Sequence, residues 1–255
     1  MMKRRLFQDL RREIKKDYGL TKKSIHFIPF EDWRTKLRDY RKDFREEYTG
    51  NLASLKTNLG FNRLPKIKNS HKKLILFVGL PGAGKTTLAK LLSELLPHTI
   101  LLRGHDIVDS LDLFGKKAPL HKKRLKQRGF RYPDPWYISY LYQEALTRDL
   151  LSRGYNVVFD DHIRTRINRL GYYSLSRECG AKIIFVQINA PFSAYIKREE
   201  GKIDKKKIEF LANFTFQSQD INQEERRKYD GIIHVDGTSS ISKIKRSLLR
   251  EINSI

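Results

Sequence analysis

The chain has 255 residues, with 52 Lys and Arg against 29 Asp and Glu, a formal charge of +23. Its 39% hydrophobic and 11% aromatic content can bury a sizeable core and excludes a disordered composition. The single cysteine, Cys179, excludes an internal disulfide and a cysteine-built zinc site, and no run approaches the ~20 apolar residues that span a bilayer. So large a positive excess favours a polyanionic partner such as nucleic acid, with a merely lysine-rich composition as the alternative.

Residues 1–70 form a basic helical region, expected to bind nucleic acid. From Met1 to Lys72 there are twenty Lys/Arg against nine Asp/Glu, a net of +11. The opening MMKRRLFQDLRREIKK has no continuous apolar run, so it is not a secretory signal, and a cytoplasmic protein with no membrane contact is expected. Leu6, Leu10 and Ile14 share one helical face, and Gly19 suits the C-terminal cap. A second helix is predicted from about Glu31 to Tyr48, with Trp33, Leu37, Tyr40 and Phe44 on one face and Gly50 as its stop. GFNRLPKIKNSHKK then reads as a linker.

From Lys73 short apolar runs alternate with helical segments. KLILFVG is a buried strand, TTLAKLLSELL a helix and HTILLRG a second strand. GKKAPLHKKRLKQRGFRYPDP, residues 115–135, holds eight Lys and Arg and one carboxylate, Asp134. Taken alone it is a solvated basic loop, a localisation patch or one wall of a polyanion site. Asp134 as N-cap and Pro135 at the first helical position then open a helix that stops at Gly154. YNVVFDD, AKIIFVQIN and DGIIHVDG supply three more strands. The alternation predicts an α/β domain over 73–255, with a five-stranded parallel sheet covered on both faces.

GLPGAGKTT fits G-x-x-x-x-G-K-[ST], placed after a strand and before a helix as that motif requires. Gly79, Pro81, Gly82, Ala83, Gly84, Lys85, Thr86 and Thr87 then form a P-loop whose N–H groups face phosphate. Lys85 would reach the β/γ-phosphates, and the Thr86 hydroxyl would help to hold Mg²⁺. NVVFDD ends at the carboxyl edge of the sheet, which makes Asp160, or else Asp161, a second metal ligand. Asp106, in RGHD after the second strand, is either a general base or a helix N-cap. Lys197, Arg198 and Lys202 fall in a helical segment within about 191–215 that resembles a lid, or else a solvated face with Glu199 and Glu200.

In this order, GLPGAGKTT, RGHD, VVFDDHIRTR and KIEFLANFTF, the stretch from Lys73 resembles a group of P-loop kinases. The group includes 5′-hydroxyl polynucleotide kinases, L-seryl-tRNA(Sec) kinase and zeta toxins. VVFDDHIRTRINR is similar to the D-D-x-N-x-x-x-x-R stretch of the tRNA kinase, with His162 and Ile163 departing from its Thr-Asn. Where the group carries an arginine three residues after the base, this chain has Asp109. The resemblance implies a kinase-type P-loop NTPase using ATP and Mg²⁺. Asp106 would accept the acceptor's proton, and Arg198 with Lys85 would neutralise the transferring phosphoryl group. It also places the basic segment on the acceptor side. Lys122, Lys123, Arg124, Arg128 and Arg131, with Tyr132 for stacking and Arg164 and Arg166 beyond, would then grip a nucleic-acid acceptor.

The absence of N-K-x-D favours ATP over GTP, and nothing resembles an AAA+ arginine finger, so a motor is a minor expectation. The leading expectation is a kinase acting on an RNA hydroxyl, either a 5′ end or a group borne by a tRNA. The alternatives are a small-molecule kinase of the zeta-toxin or adenylylsulfate-kinase type, or an RNA-binding ATPase without kinase activity.

Overall fold

KLILFV has no charge after Lys73 and sends alternate side chains to opposite faces, so it suits a sheet covered on both sides. The computed structural model describes residues 33–79, 82–130, 136–160, 166–189, 221 and 223–255. In it this run is strand β1 (Lys73–Val78), buried from Leu74 onward. The remaining strands are β2 (Thr99–Arg103), β3 (Asn156–Asp160), β4 (Lys182–Asn189) and β5 (Gly231–Asp236). All five make one sheet in the order β2-β3-β1-β4-β5, with every neighbouring pair parallel. The α/β P-loop architecture expected from the alternation of strand and helix is therefore present.

Nine described helices accompany the sheet: α1 (Trp33–Asp43), α2 (Arg45–Asn58), α3 (Lys85–Leu95), α4 (Gly104–Ser110), α5 (Ala118–Gln127), α6 (Trp136–Ser152), α7 (Arg166–Glu178), α8 (Gln223–Lys228) and α9 (Ile241–Ser254). Ile75 and Phe77 of β1 share a buried cluster with Leu88 and Leu92 of α3 and with Leu248 and Ile252 of α9. Leu74, Leu76 and Val78 belong to the opposite cluster, with Leu146 and Leu150 of α6 and Tyr172 of α7. Each such side chain stabilises the fold by roughly 1.5–3 kcal/mol, so the central strand holds both layers to the sheet.

The N-terminal helices join that second cluster. Tyr40 is 1% exposed and Leu55 fully buried, Tyr48 stacks on Tyr142 of α6 with ring centroids 5.3 Å apart, and Asn51 Nδ2 donates to the Tyr142 hydroxyl at 3.1 Å. The single helix predicted to end near Tyr48 is instead two, separated at Phe44 (φ −113°, ψ 40°). Gly50, expected as a stop, lies inside α2. Its interior glycine costs about 1 kcal/mol, and burial of Leu55 one turn later outweighs that cost. The earlier helix predicted around Leu6 lies outside the described residues.

The stretch read as a linker is pinned to the core. Ile67 N–H donates to Arg153 O at 2.8 Å, Arg153 Nη1 donates to Leu64 O at 2.9 Å, and the Tyr155 hydroxyl donates to Pro65 O at 3.0 Å. Gly154 makes this approach possible. Its φ is +95°, and a Cβ there would lie 2.3 Å from Ile67 O. Residues 118–127 of the basic segment are helix α5, with Ala118, His121 and Leu125 buried. Phe130, near the end of the basic segment, is 3% exposed and belongs to the core.

Candidate active site

In a parallel sheet the strand ends that carry ligands lie on one edge, and helix N-termini point at the same edge. β1 ends at Val78, and the chain then crosses Gly79, Gly82, Ala83 and Gly84 before α3 opens at Lys85. Gly84 sits at φ +94°, which only glycine adopts readily, and this turn aims the first N–H groups of α3 back at the loop. Lys85 is 6% exposed, and its Nζ donates to Gly79 O at 3.1 Å. A buried ammonium needs acceptors, and this carbonyl supplies one while keeping the charge on the loop.

β3 lies between β1 and β2, so Asp160 at its end is beside both the P-loop and Arg103 of β2. Thr86 Oγ1, in the first turn of α3, donates to Asp160 Oδ1 at 3.1 Å. A hydroxyl and a carboxylate at hydrogen-bond distance are the hard oxygen donors that suit Mg²⁺, so these residues fit that ion. Asp161, the alternative to Asp160, lies outside the described residues. Thr87 is exposed on the same first turn.

Asp106 lies in the first turn of α4 and is not its N-cap; Arg103 holds that position. Arg103 grips it at two points. Nε donates to Asp106 Oδ2 at 2.8 Å, and Nη2 lies 2.7 Å from Oδ1. This fork pushes the Arg103 pKa up, assisted by the nearby charges of Asp160 and Asp109. Arg103 was not singled out in the sequence. Its only signal there was the R-x-x-D spacing, which reveals nothing until β2 is seen to end at Arg103 and α4 to begin at Gly104.

In the basic segment and beyond it the cations divide into two groups. Lys122 and Lys123 are exposed on α5. Arg124 pairs with Glu47 of α2 and Arg128 with Asp43 of α1, and the Arg124 guanidinium lies 4.9 Å from the Phe44 ring centroid. These two arginines therefore fasten the N-terminal helices to the segment that follows α4. Arg169 of α7 is 1% exposed and forks onto Glu225 of α8 at 2.7 and 3.0 Å. Pro81, Arg131, Tyr132, Arg164, Lys197, Arg198 and Lys202 lie outside the described residues, as does the side chain of Arg166.

The AAA domain family matches residues 74–218, more than half of the chain. The chain belongs to this family. Its AAA domain takes in the P-loop, Asp106 and Asp160, while α1, α2, α8, β5 and α9 lie outside it. No curated protein matches the sequence. Among solved structures, a gluconokinase from Sinorhizobium meliloti 1021 aligns at 15% identity over 74% of this chain and 94% of its own, with TM-score 0.46. A structure from the PezAT chromosomal toxin–antitoxin system of Streptococcus pneumoniae aligns at 17% identity over 77% and 86%, also at 0.46. The Mycobacterium tuberculosis APS kinase in complex with AMPPNP and APS aligns at 16% identity over 72% and 98%, again at 0.46. Among the described residues of this AAA-domain protein no helix is long and apolar enough to cross a membrane.

Proposed function

We propose that this protein is an ATP- and Mg²⁺-dependent kinase that phosphorylates a hydroxyl of RNA, at a 5′ end or on a group borne by a tRNA. One observation carries the reading. The Thr86–Asp160 pair joins the first turn of α3 to the end of β3, and Asp106 is held by Arg103 at the end of the adjacent β2. Metal-binding oxygens, phosphate-binding N–H groups and an oriented carboxylate are the parts that phosphoryl transfer to an alcohol needs.

In this reading the P-loop N–H groups and Lys85 hold the nucleotide phosphates, joined by Arg198 from the lid. Thr86 and Asp160, with Asp161, would hold Mg²⁺, which would supply positive charge to the phosphoryl group in transfer. Asp106 accepts the proton of the acceptor hydroxyl. The hydroxyl oxygen bonds to the γ-phosphorus as the bond to the β–γ bridging oxygen breaks, and ADP leaves. Lys122 and Lys123, joined by Arg131, Tyr132, Arg164 and Arg166, would line the path of the RNA. The test is transfer from γ-labelled ATP to RNA, compared with a panel of small acceptors. RNA that stays unlabelled while a small acceptor is labelled well refutes the RNA assignment.

The ion pairs of Arg124 and Arg128 favour a second reading. With two arginines engaged internally, the acceptor side is less cationic than its sequence suggests, as suits a small anionic acceptor. Ionic strength separates the two, because RNA affinity falls steeply with salt through counterion release while the KM of a small acceptor moves little.

A further inference from the structure

The acceptor side also holds an exposed aromatic with no role so far. Phe114 is 49% exposed, although phenylalanine is ordinarily buried. It sits in the turn between α4 and α5, where Leu113 N–H donates to Val108 O at 3.0 Å and Gly115 N–H to Asp112 O at 3.3 Å. The backbone on both sides of Phe114 is therefore anchored. Its ring centroid lies 5.6 Å from that of Trp136, at an interplanar angle of 57°. Trp136 in turn meets His105 edge-on at 5.0 Å. His105 is exposed and directly precedes Asp106. Three rings thus form a row that runs from the turn after α4 to the first turn of α4, the turn that also carries Asp106.

The surroundings of the row indicate its ligand. Lys116 and Lys117 follow Phe114, and Lys122, Lys123 and Lys126 project from α5, all exposed. Arg124 and Arg128 are excluded from this group by Glu47 and Asp43. An apolar partner would have no use for five exposed lysines in the segment that follows Phe114, and a small phosphate ester would have none for a stacking face. An unpaired nucleotide uses both, because every base has a π-face and every linkage carries a negative charge.

We propose that Phe114, backed by Trp136 and His105, is a stacking platform for the unpaired base next to the acceptor hydroxyl. The lysines of 116–126 hold the phosphates that follow it. The inference rests on the RNA-kinase reading and narrows its substrate to single-stranded ends. A stacking platform of this kind reads no sequence.

The full chain and its Phe114→Ala and Phe114→Tyr variants test this with a 5′-hydroxyl single-stranded RNA. The same RNA with an abasic 5′ nucleotide, and with 2-aminopurine at that position, completes the set. Phe114→Ala should raise the KM for RNA about tenfold, as loss of one stacked base does, and Phe114→Tyr should restore it to within about twofold. The abasic RNA should cost the parent protein a similar factor and the Phe114→Ala variant nothing further, because the two changes remove one contact. 2-Aminopurine fluorescence should be quenched on binding the parent protein and not the Phe114→Ala variant. Transfer to RNA with equal KM in the parent protein and Phe114→Ala overturns the platform and leaves the RNA kinase standing. Binding with Phe114-dependent quenching but no transfer supports the platform and overturns the kinase. Absence of RNA binding by the parent protein removes both.

Discussion

At the scale of single residues, the site depends on two side chains held by neighbours. Asp160 accepts from Thr86, and Asp106 is forked by Arg103. If Asp106 is the base, Asp106→Asn should reduce transfer to the acceptor by about 10²–10⁴-fold, the range for general base catalysis. Labelled-phosphate transfer measures this, and near-normal transfer would remove Asp106 from the chemistry. On that reading Arg103 is a positioning residue. Its planar fork matches a carboxylate in a way that lysine cannot. Arg103→Lys should therefore lower kcat by about tenfold while KM for the nucleotide changes little, and Arg103→Gln should lower it further. A change confined to KM would assign Arg103 to substrate binding instead. The places of the P-loop residues, Asp160 and Asp106 at the carboxyl edge of the sheet were legible because a motif or a strand end marks them. Arg103 was not, because its partner depends on β2 stopping and α4 starting without an intervening loop.

Among the elements, α5 shows how a basic run acquires structure. Ala118, His121 and Leu125 are buried at i, i+3 and i+7, a helical period hidden among lysines and arginines. Its cations hid its acidic partners too, since Asp43 and Glu47 are some eighty residues away in the chain. Asp43→Asn combined with Glu47→Gln releases Arg128 and Arg124. It should cost stability of about 1 kcal/mol, given that partly exposed ion pairs contribute 0.2–1 kcal/mol each. The same variant should bind single-stranded RNA more tightly, with a salt slope steeper by about 1.4, if both freed cations reach phosphates at ~0.7 each. An unchanged slope would mean that α5 turns these arginines away from the RNA.

His121 gives the same interface a pH dependence. Burial pushes its pKa down, and Lys117 assists, against opposition from Asp112. Glu47 at 3.9 Å also favours the charged form and Arg124 disfavours it, but desolvation dominates for a ring only 2% exposed. The unfolded chain therefore binds this proton at higher pH than the folded one. Stability is full above the unfolded pKa of about 6.5 and falls as pH drops below it, towards the lower folded pKa. Thermal melts from about pH 7.5 to 5.5 should show a shallower decline for His121→Leu than for the parent chain.

On the scale of the whole molecule, one buried ion pair joins distant parts of the chain. Arg169 of α7 forks onto Glu225 of α8, and the Tyr229 hydroxyl donates to the same carboxylate at 2.9 Å. Both charged side chains are 1% exposed. Arg169→Met should destabilise the protein by about 3–5 kcal/mol by leaving the buried Glu225 charge without its arginine, and adding Glu225→Leu should recover much of that loss. Urea unfolding of the single and double variants measures both effects. A single variant as stable as the parent would show that the carboxylate escapes to solvent.

The sequence by itself determined the strands, their parallel arrangement and the phosphate loop. Those features rest on local patterns: apolar runs of strand length, glycines where the chain must turn, and a lysine and threonine at set places in the turn. Only the tertiary structure decided which charges are available for a ligand. Arg124, Arg128 and Arg169 resemble their neighbours in sequence, yet each is paired with a carboxylate from a remote helix. Phe114, in contrast, is left exposed beside Trp136. Ion pairing and burial depend on which helices meet across the core, and that follows from packing of the whole chain.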